Sequence, residues 1–223
     1  MRVLVACEES QAVANAFREL GHEAYSCDIL PCSGSHPEYH YQQDVFEVID
    51  KGWDLMVAHP PCTFLSASGV AWLSHPDDRE LPFNDRRPNP KFPNRRQDMA
   101  DSIEFVKKLW DAPIEKIAIE NPIGMLSSSW MKPTQIVQPY FFGDEATKST
   151  CLWLKNLPKL EATDVVGKGE RFVWTDKKHG KVKSQPMWYY QALRQAKTKQ
   201  ERQSLRSKTF QGIANAMASQ WSA

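Results

Sequence analysis

The sequence predicts an α/β domain built on a doubly wound, mixed but mainly parallel sheet. Two observations carry this. Short β-branched runs alternate with helical patterns through the first half of the chain, which places strands side by side with helices over the sheet faces. Polar and reactive residues follow the runs directly, and in open α/β sheets ligands sit at the carboxyl ends of the strands. The 223 residues suffice for one such domain and a small appendage.

The elements follow in order. RVLVA (2–6) suits a buried parallel strand. Ser10 is a candidate helix N-cap before QAVANAFREL, and Gly21 stops that helix. EAYSCDI (23–29) reads as a second strand and YQQDV as a short third strand or turn around Asp44. WDLMVAH (53–59) is a fourth strand, ended by Pro60-Pro61. Residues 74–96, rich in Pro, Arg, Asp and Asn, have no period and read as a long loop. A helix is expected over 97–111, with Met99, Ile103, Val106 and Leu109 or Trp110 on one face. EKIAIE (115–120) is a fifth strand, stopped by Asn121-Pro122. IVQPYFF and STCLWL read as two later strands that could pair antiparallel. Residues 155–187 read as irregular, and helices are expected over 188–205 and 209–220.

Composition narrows the class. Hydrophobic residues make up 41% of the chain, and no apolar run approaches the roughly 20 residues of a membrane span. MRVLVACEES reads as a first strand and not as a signal peptide. Five cysteines, with no CxxC pair, point to neither a disulfide framework nor a zinc site, so a reducing cytoplasm is expected and no metal. Net charge is +1, yet residues 155–208 hold 14 Lys/Arg against 5 Asp/Glu. A second basic cluster comprises Arg86, Arg87, Lys91, Arg95 and Arg96. Such patches on a near-neutral chain fit a polyanionic partner, although solvated charged loops would look the same.

Two residues carry the chemistry. Cys62 follows the fourth strand in HPPCTFLSASG, where two prolines fix the direction of the next side chain. For Cys7, Cys27, Cys32 and Cys151 the ordinary reading, a buried inert thiol, is preferred. After Pro-Pro, amino-methyltransferases place a polar acceptor for an exocyclic amine. A thiol there favours attack on a ring carbon instead. Glu120 ends the fifth strand in IAIENPIG, where desolvation is expected to raise its pKa and let it donate to a ring nitrogen. The competing reading is a Glu that caps a loop or pairs with a lysine.

In this order the motifs resemble the DNA cytosine-C5 methyltransferases, and more closely the small methylase-like proteins of phages and prophages. WDLMVAHPPCTFLSASG resembles the family's Pro-Cys nucleophile loop, with its downstream Phe, Ser66 and Gly. IAIENPIGML resembles the Glu-Asn-Val segment, with Pro122 in place of Val. FFGDEATKSTCLWL is a weaker match to Gln-x-Arg-x-Arg, with Ala146, Lys148 and Thr150 at those positions. FQGIANAMASQW is similar to the C-terminal Gly-Asn helix beside the cofactor, through Gly212 and Asn215.

The resemblance implies a Rossmann-like class I fold that binds S-adenosylmethionine and methylates cytosine C5 in DNA. Cys62 would add to C6, Glu120 would bind N3, and Lys148 would hold the base O2 or a phosphate. It implies a catalytic core at 1–154, a small basic recognition segment at 155–205 and a returning helix at 206–223. Cofactor contacts fall on Glu8 or Glu9, Asp28, Asp44, Pro60, Gly212 and Asn215. The turn after the first strand, Ala6-Cys7-Glu8-Glu9-Ser10, departs from pattern because it lacks glycine. The acids Glu8 and Glu9 would equally enrich a helix N-terminus. DNA contacts fall on Ser66, Arg86, Arg87, Arg95, Arg96, Asn121, Arg171, Lys177 and Lys178, around an extruded base. Two alternatives stay open: the same chemistry on a free cytosine nucleotide, and a catalytically silent DNA-binding relative.

Overall fold

The computed structural model describes residues 1–222, the side chains of Lys199, Gln200 and Gln203 excepted. Seven strands form one sheet: β1 (Arg2–Ala6), β2 (Glu23–Asp28), β3 (His40–Gln42), β4 (Leu55–Ala58), β5 (Lys116–Pro122), β6 (Gln135–Val137) and β7 (Thr150–Lys155). Their order is β3-β2-β1-β4-β5-β7-β6. Strands β1 to β5 pair in parallel, whereas β7 runs antiparallel to both β5 and β6. The strand order reverses between β1 and β4, the switch point where such sheets open a crevice.

Successive strand residues face opposite sides, so each buried run feeds two cores. Val3, Val5 and Val57 pack with Phe17 of α1 (Ala12–Glu19) and with Ile213, Met217 and Trp221 of the C-terminal helix (Gln211–Trp221). Leu4, Met56 and Ile117 pack on the other face with Ile103, Val106 and Leu109 of the helix Arg95–Trp110. The short helices α2 (Ala67–Val70) and α4 (Leu126–Ser129) flank that long helix, α3, in sequence. Among the described residues no helix is long and apolar enough to cross a membrane.

Five expectations need correction. Ser10 does not cap α1. The chain leaves β1 through left-handed backbone at Cys7 and Gln11, so Gln11 holds the cap position. The Glu8 carboxylate accepts from Val13 N (2.7 Å) and Ala14 N (3.2 Å) in its place. Strand β5 does not stop before Asn121-Pro122, because β7 pairs Asn121 with Cys151 and Pro122 with Thr150. Pro139–Phe141 is a 3-10 turn and not strand, leaving β6 three residues long. Residues 155–187 are not wholly irregular: β8 (Arg171–Thr175) and β9 (Val182–Pro186) form an antiparallel ribbon. The helix expected over 188–205 is two, α5 (Met187–Gln195) and α6 (Lys199–Ser207). Between them Thr198 Oγ1 accepts from Glu201 N, and the Glu201 carboxylate accepts from Thr198 N, a capping box that starts α6 afresh. Helix α7 is Gln211–Trp221.

Candidate active site

Parallel register sets the site. Ala58 of β4 lies opposite Ile119 of β5, so the next residues, His59 and Glu120, emerge side by side at the carboxyl ends. His59 Nδ1 lies 3.2 Å from Glu120 Oε2, and both side chains are nearly buried, at 11% and 12% exposed. The lowered pKa of Glu120 makes it the acceptor, which puts the proton between them on Nδ1. The backbone N–H of His59 donates to Ala6 O (2.9 Å), which ties the same point to β1.

The Cys62 loop is laced to the loop after β5. Asn121 Nδ2 donates to Pro60 O (2.8 Å), Met125 N to Leu65 O (2.7 Å), and Ala67 N to Ile123 O (3.0 Å). Gly124 makes the approach feasible: a Cβ there would lie 1.9 Å from Leu65 O. Leu65 N and Ser66 N both donate to Cys62 O, so the chain turns tightly behind the half-buried thiol.

Lys148 arrives from the third side. The pairing of Thr150 with Pro122 brings the start of β7 beside the end of β5. Its ammonium donates to Ser207 O and Lys208 O, each 3.3 Å away, at the end of α6. Arg206 of α6 also presents its charge toward Cys62. The guanidinium lies over Tyr189, and its buried Nε has no partner among the described residues.

These charges act on one another. Burial pushes the Cys62 thiol up and the Glu120 charge adds to this; Lys148 and Arg206 pull it down without restoring its ordinary value. Burial likewise pushes Glu120 up, but the His59 hydrogen bond and the charges of Lys148 and His59 outweigh it. Glu120 therefore titrates below the ordinary carboxylate range. This corrects the expectation of a raised Glu120, which took account of burial without the partner. For His59, burial works against the charged form, and the opposing pull of Glu120 and Glu8 holds its pKa above the usual histidine value. His59 is the residue that sequence reasoning missed. Its signal was present: a polar side chain at the tip of a buried strand, next to Pro-Pro.

The remaining predicted residues divide by location. Asp28, Glu9 and Asp44 lie at the carboxyl ends of β2, β1 and β3. Asp28 is half-buried and accepts from Leu30 N (2.9 Å); burial raises its pKa, and the charge of Glu9 adds to this. Asp44 caps the 3-10 turn Val45–Glu47, and Glu9 Oε1 accepts from Ser204 of α6 (3.0 Å). Glu8 is buried, with both carboxylate oxygens engaged by α1. The Pro60 carbonyl is taken by Asn121. Gly212 serves packing, since its N–H donates to Asp144 (2.9 Å) and a Cβ would lie 1.8 Å from Phe142 O. Asn215 is exposed on α7 and lines a shallow open groove with Ser10, Asn15, Gly34 and Lys208.

The arginine loop has internal work. Arg87 donates through its backbone N–H, Nε and Nη2 to Asp78 (2.8, 2.9 and 2.6 Å). Arg86 bonds the carbonyls of Leu81 and Arg79; Arg95 those of Gly69 and Thr63; Arg96 those of Leu73 and Arg86. These guanidinium groups hold residues 63–96 in shape. Lys177 and Lys178 are exposed at the turn of the β8–β9 ribbon, while Arg171 bonds Ser184 across it. Ser66 lies on the Cys62 loop, its hydroxyl 3.1 Å from that of Ser68. Trp188, Tyr189 and Tyr190 pack. Trp188 donates to Thr147 O, Tyr189 carries Arg206, and Tyr190 stacks on Phe172 at 3.7 Å.

Neither a protein-family model nor a curated protein sequence matches the chain.

Proposed function

We propose that this chain is a DNA cytosine-C5 methyltransferase of the Rossmann-like class I type, dependent on S-adenosylmethionine. One observation supports the reading: a half-buried thiol in a proline-fixed loop and a carboxylate on the neighbouring strand lie at the carboxyl ends of β4 and β5, beside the sheet's switch point. Cytosine C5 is too weak a nucleophile to accept an alkyl group unaided. Sulfur addition at C6 turns the ring into an enamine, with Cys62 as nucleophile and Glu120 holding N3 and the exocyclic amine. Lys148 would leave the α6 carbonyls and meet O2 or a phosphate. The C5 proton then departs, and Cys62 is eliminated.

The cofactor's chemistry is an electrophilic methyl group on a sulfonium. The chain's residues fit such a ligand: Asp28, Asp44 and Glu9 offer acceptors to an ammonium and to hydroxyls, and nothing after β1 forms a phosphate cradle. The ribbon β8–β9 supports duplex DNA as the substrate, because a two-stranded ribbon fits the major groove and this one carries lysines at its turn. Lys177 and Lys178 would meet phosphates there. A free cytosine nucleotide is the second reading, favoured by the internal occupation of Arg86, Arg87, Arg95 and Arg96.

The test is incubation with labelled cofactor and, separately, duplex DNA, single-stranded DNA and free cytosine nucleotide, followed by mass analysis of the nucleosides. 5-Methylcytosine in duplex DNA is expected. Label confined to the free nucleotide would move the assignment to the second reading, and no labelled product from any substrate would refute both.

A further inference from the structure

We propose that His59 stores the proton of this site: a positioning residue acting through Glu120, it supplies the proton that ring N3 takes up as Cys62 adds, and recovers it on elimination. The inference rests on the Cys62–Glu120 reading above and deepens it.

Two demands on Glu120 conflict. The N3 of cytosine carries a lone pair, and addition at C6 delivers a further electron pair to it. A bare carboxylate opposite N3 repels that density; a proton is needed between them. Glu120, however, is ionised in this site, because it accepts from His59 and faces Lys148. The proton Glu120 lacks is on the imidazole that touches it.

The surroundings hold it there. His59 is fixed by β4–β5 register and by its own N–H to Ala6 O, so the ring has little freedom. Facing it are Glu120 from β5, Glu8 from the turn after β1, and Lys148 from the segment before β7. Cys62 lies on its own loop and is neutral as the thiol, while Arg206 of α6 faces Cys62. Contact with the Glu120 carboxylate favours the imidazolium against the Lys148 ammonium; Glu8 adds its pull only when ionised, and burial raises its pKa. Nε2 is buried without a partner among the described residues, which costs the imidazolium one unsatisfied N–H, so the Nδ1 contact with Glu120 must outweigh it. An imidazole kept only for packing would leave this polar atom stranded for no return.

The step balances. Cys62 first loses its thiol proton to solvent; the sulfur electron pair then forms S–C6, the C5–C6 π pair shifts to C4–C5, and the C4–N3 π pair goes to N3. N3–H forms as Nδ1–H breaks, with the Glu120 carboxyl passing the proton and ending ionised. His59 is then neutral. After C5 has been methylated, the C5 proton leaves to solvent, C5–C6 is restored, S–C6 breaks, and the N3 proton returns to His59.

Two measurements test this on the full chain. The first is 15N NMR of the imidazoles in the free protein, which needs no variant. His59 is expected to remain doubly protonated at a pH where exposed histidines are neutral; a neutral His59 at pH 7 overturns the proposal. The second is the pH profile of covalent adduct formation with 5-fluorocytosine duplex DNA and cofactor. Wild type should give a bell, rising as Cys62 ionises and falling as His59 loses its proton. His59→Gln keeps a donor toward Glu120 but has no proton to give. Its rate should drop about 10²-fold or more, and its profile should only rise with pH. A wild-type bell in H59Q overturns the relay and leaves the methyltransferase reading intact. No adduct with wild type at any pH overturns both, since the relay has no addition step to serve.

Discussion

Cys62 is a poor nucleophile for as long as Glu120 is charged, since that charge adds to burial in keeping the thiol protonated. The two residues are coupled: burial is the larger cause of the raised thiol and the Glu120 charge the second, so neutralising Glu120 lowers the thiol's pKa without removing the effect of burial. On the proposed reading, a cytosine N3 sharing a proton with Glu120 would do this, and activation would follow occupancy. Two outcomes follow. Cys62→Ser should form no 5-fluorocytosine adduct and reduce methyl transfer to background, while calorimetry shows unchanged cofactor affinity; wild-type turnover in this variant would exclude covalent catalysis. Lys148→Met removes a positive charge that lowers the thiol's pKa. The thiol then titrates higher, so the rising limb of adduct formation should move to higher pH. A limb left in place would mean that Lys148 has no electrostatic role. The core residues of β1, β4 and β5 were legible from their buried runs, and the positions of Cys62 and Glu120 after the fourth and at the end of the fifth from the turn residues beside them. The protonation state of Glu120 was not, because His59 reaches it only through strand register.

At the level of elements, the site depends on two loops that touch. Gly124→Ala would force Leu65 O away from a Cβ now 1.9 Å from it, and the neighbouring atom is backbone, not a flexible side-chain end. Overpacking of this kind costs about 1–3 kcal/mol. A melting point several degrees lower is expected, together with a loss of adduct formation larger than the stability loss explains. The Arg/Pro loop is a second such unit, closed by Asp78 and Arg87. The hydrogen bonds from Arg87 hold the Asp78 carboxyl well below its ordinary value of 3.8. Stability from this pair is therefore complete above that value and is lost as pH falls through the depressed one. Limited proteolysis of residues 74–96 should accelerate in strong acid for wild type, whereas Asp78→Asn should be cut readily at neutral pH as well. The loop and its arginines are legible in the sequence; their bonds to Asp78 and to loop carbonyls are not, because composition does not reveal which backbone groups lie within reach of a guanidinium.

At the scale of the molecule, charge is divided by location more than by number. The core carries the acids Asp28, Asp44 and Glu9 at strand tips, and the ribbon β8–β9 carries exposed Lys177, Lys178 and Lys181. Phe172 stacks on both Trp174 and Tyr190, so the ribbon is fastened to α5 as one piece. Replacing Lys177, Lys178 and Lys181 together by Gln should weaken duplex binding and flatten its salt dependence, by about 0.9 in log–log slope for each lysine that meets a phosphate. Adduct formation at saturating DNA should be unchanged. An unaltered salt slope would remove the ribbon from the interface.

Sequence alone determined the alternation of strands and helices, the two-faced core and the order in which Cys62 and Glu120 occur, because hydrophobic period and turn residues act locally. It did not determine which strand neighbours which, the antiparallel entry of β7 beside β5, the partners of the loop arginines or the partnership of His59 with Glu120. Those are decided by contacts between residues apart in the chain, from Arg86 with Leu81 and Arg95 with Thr63 to His59 with Glu120 and Asn121 with Pro60. The last two exist only after the sheet has brought its carboxyl ends together.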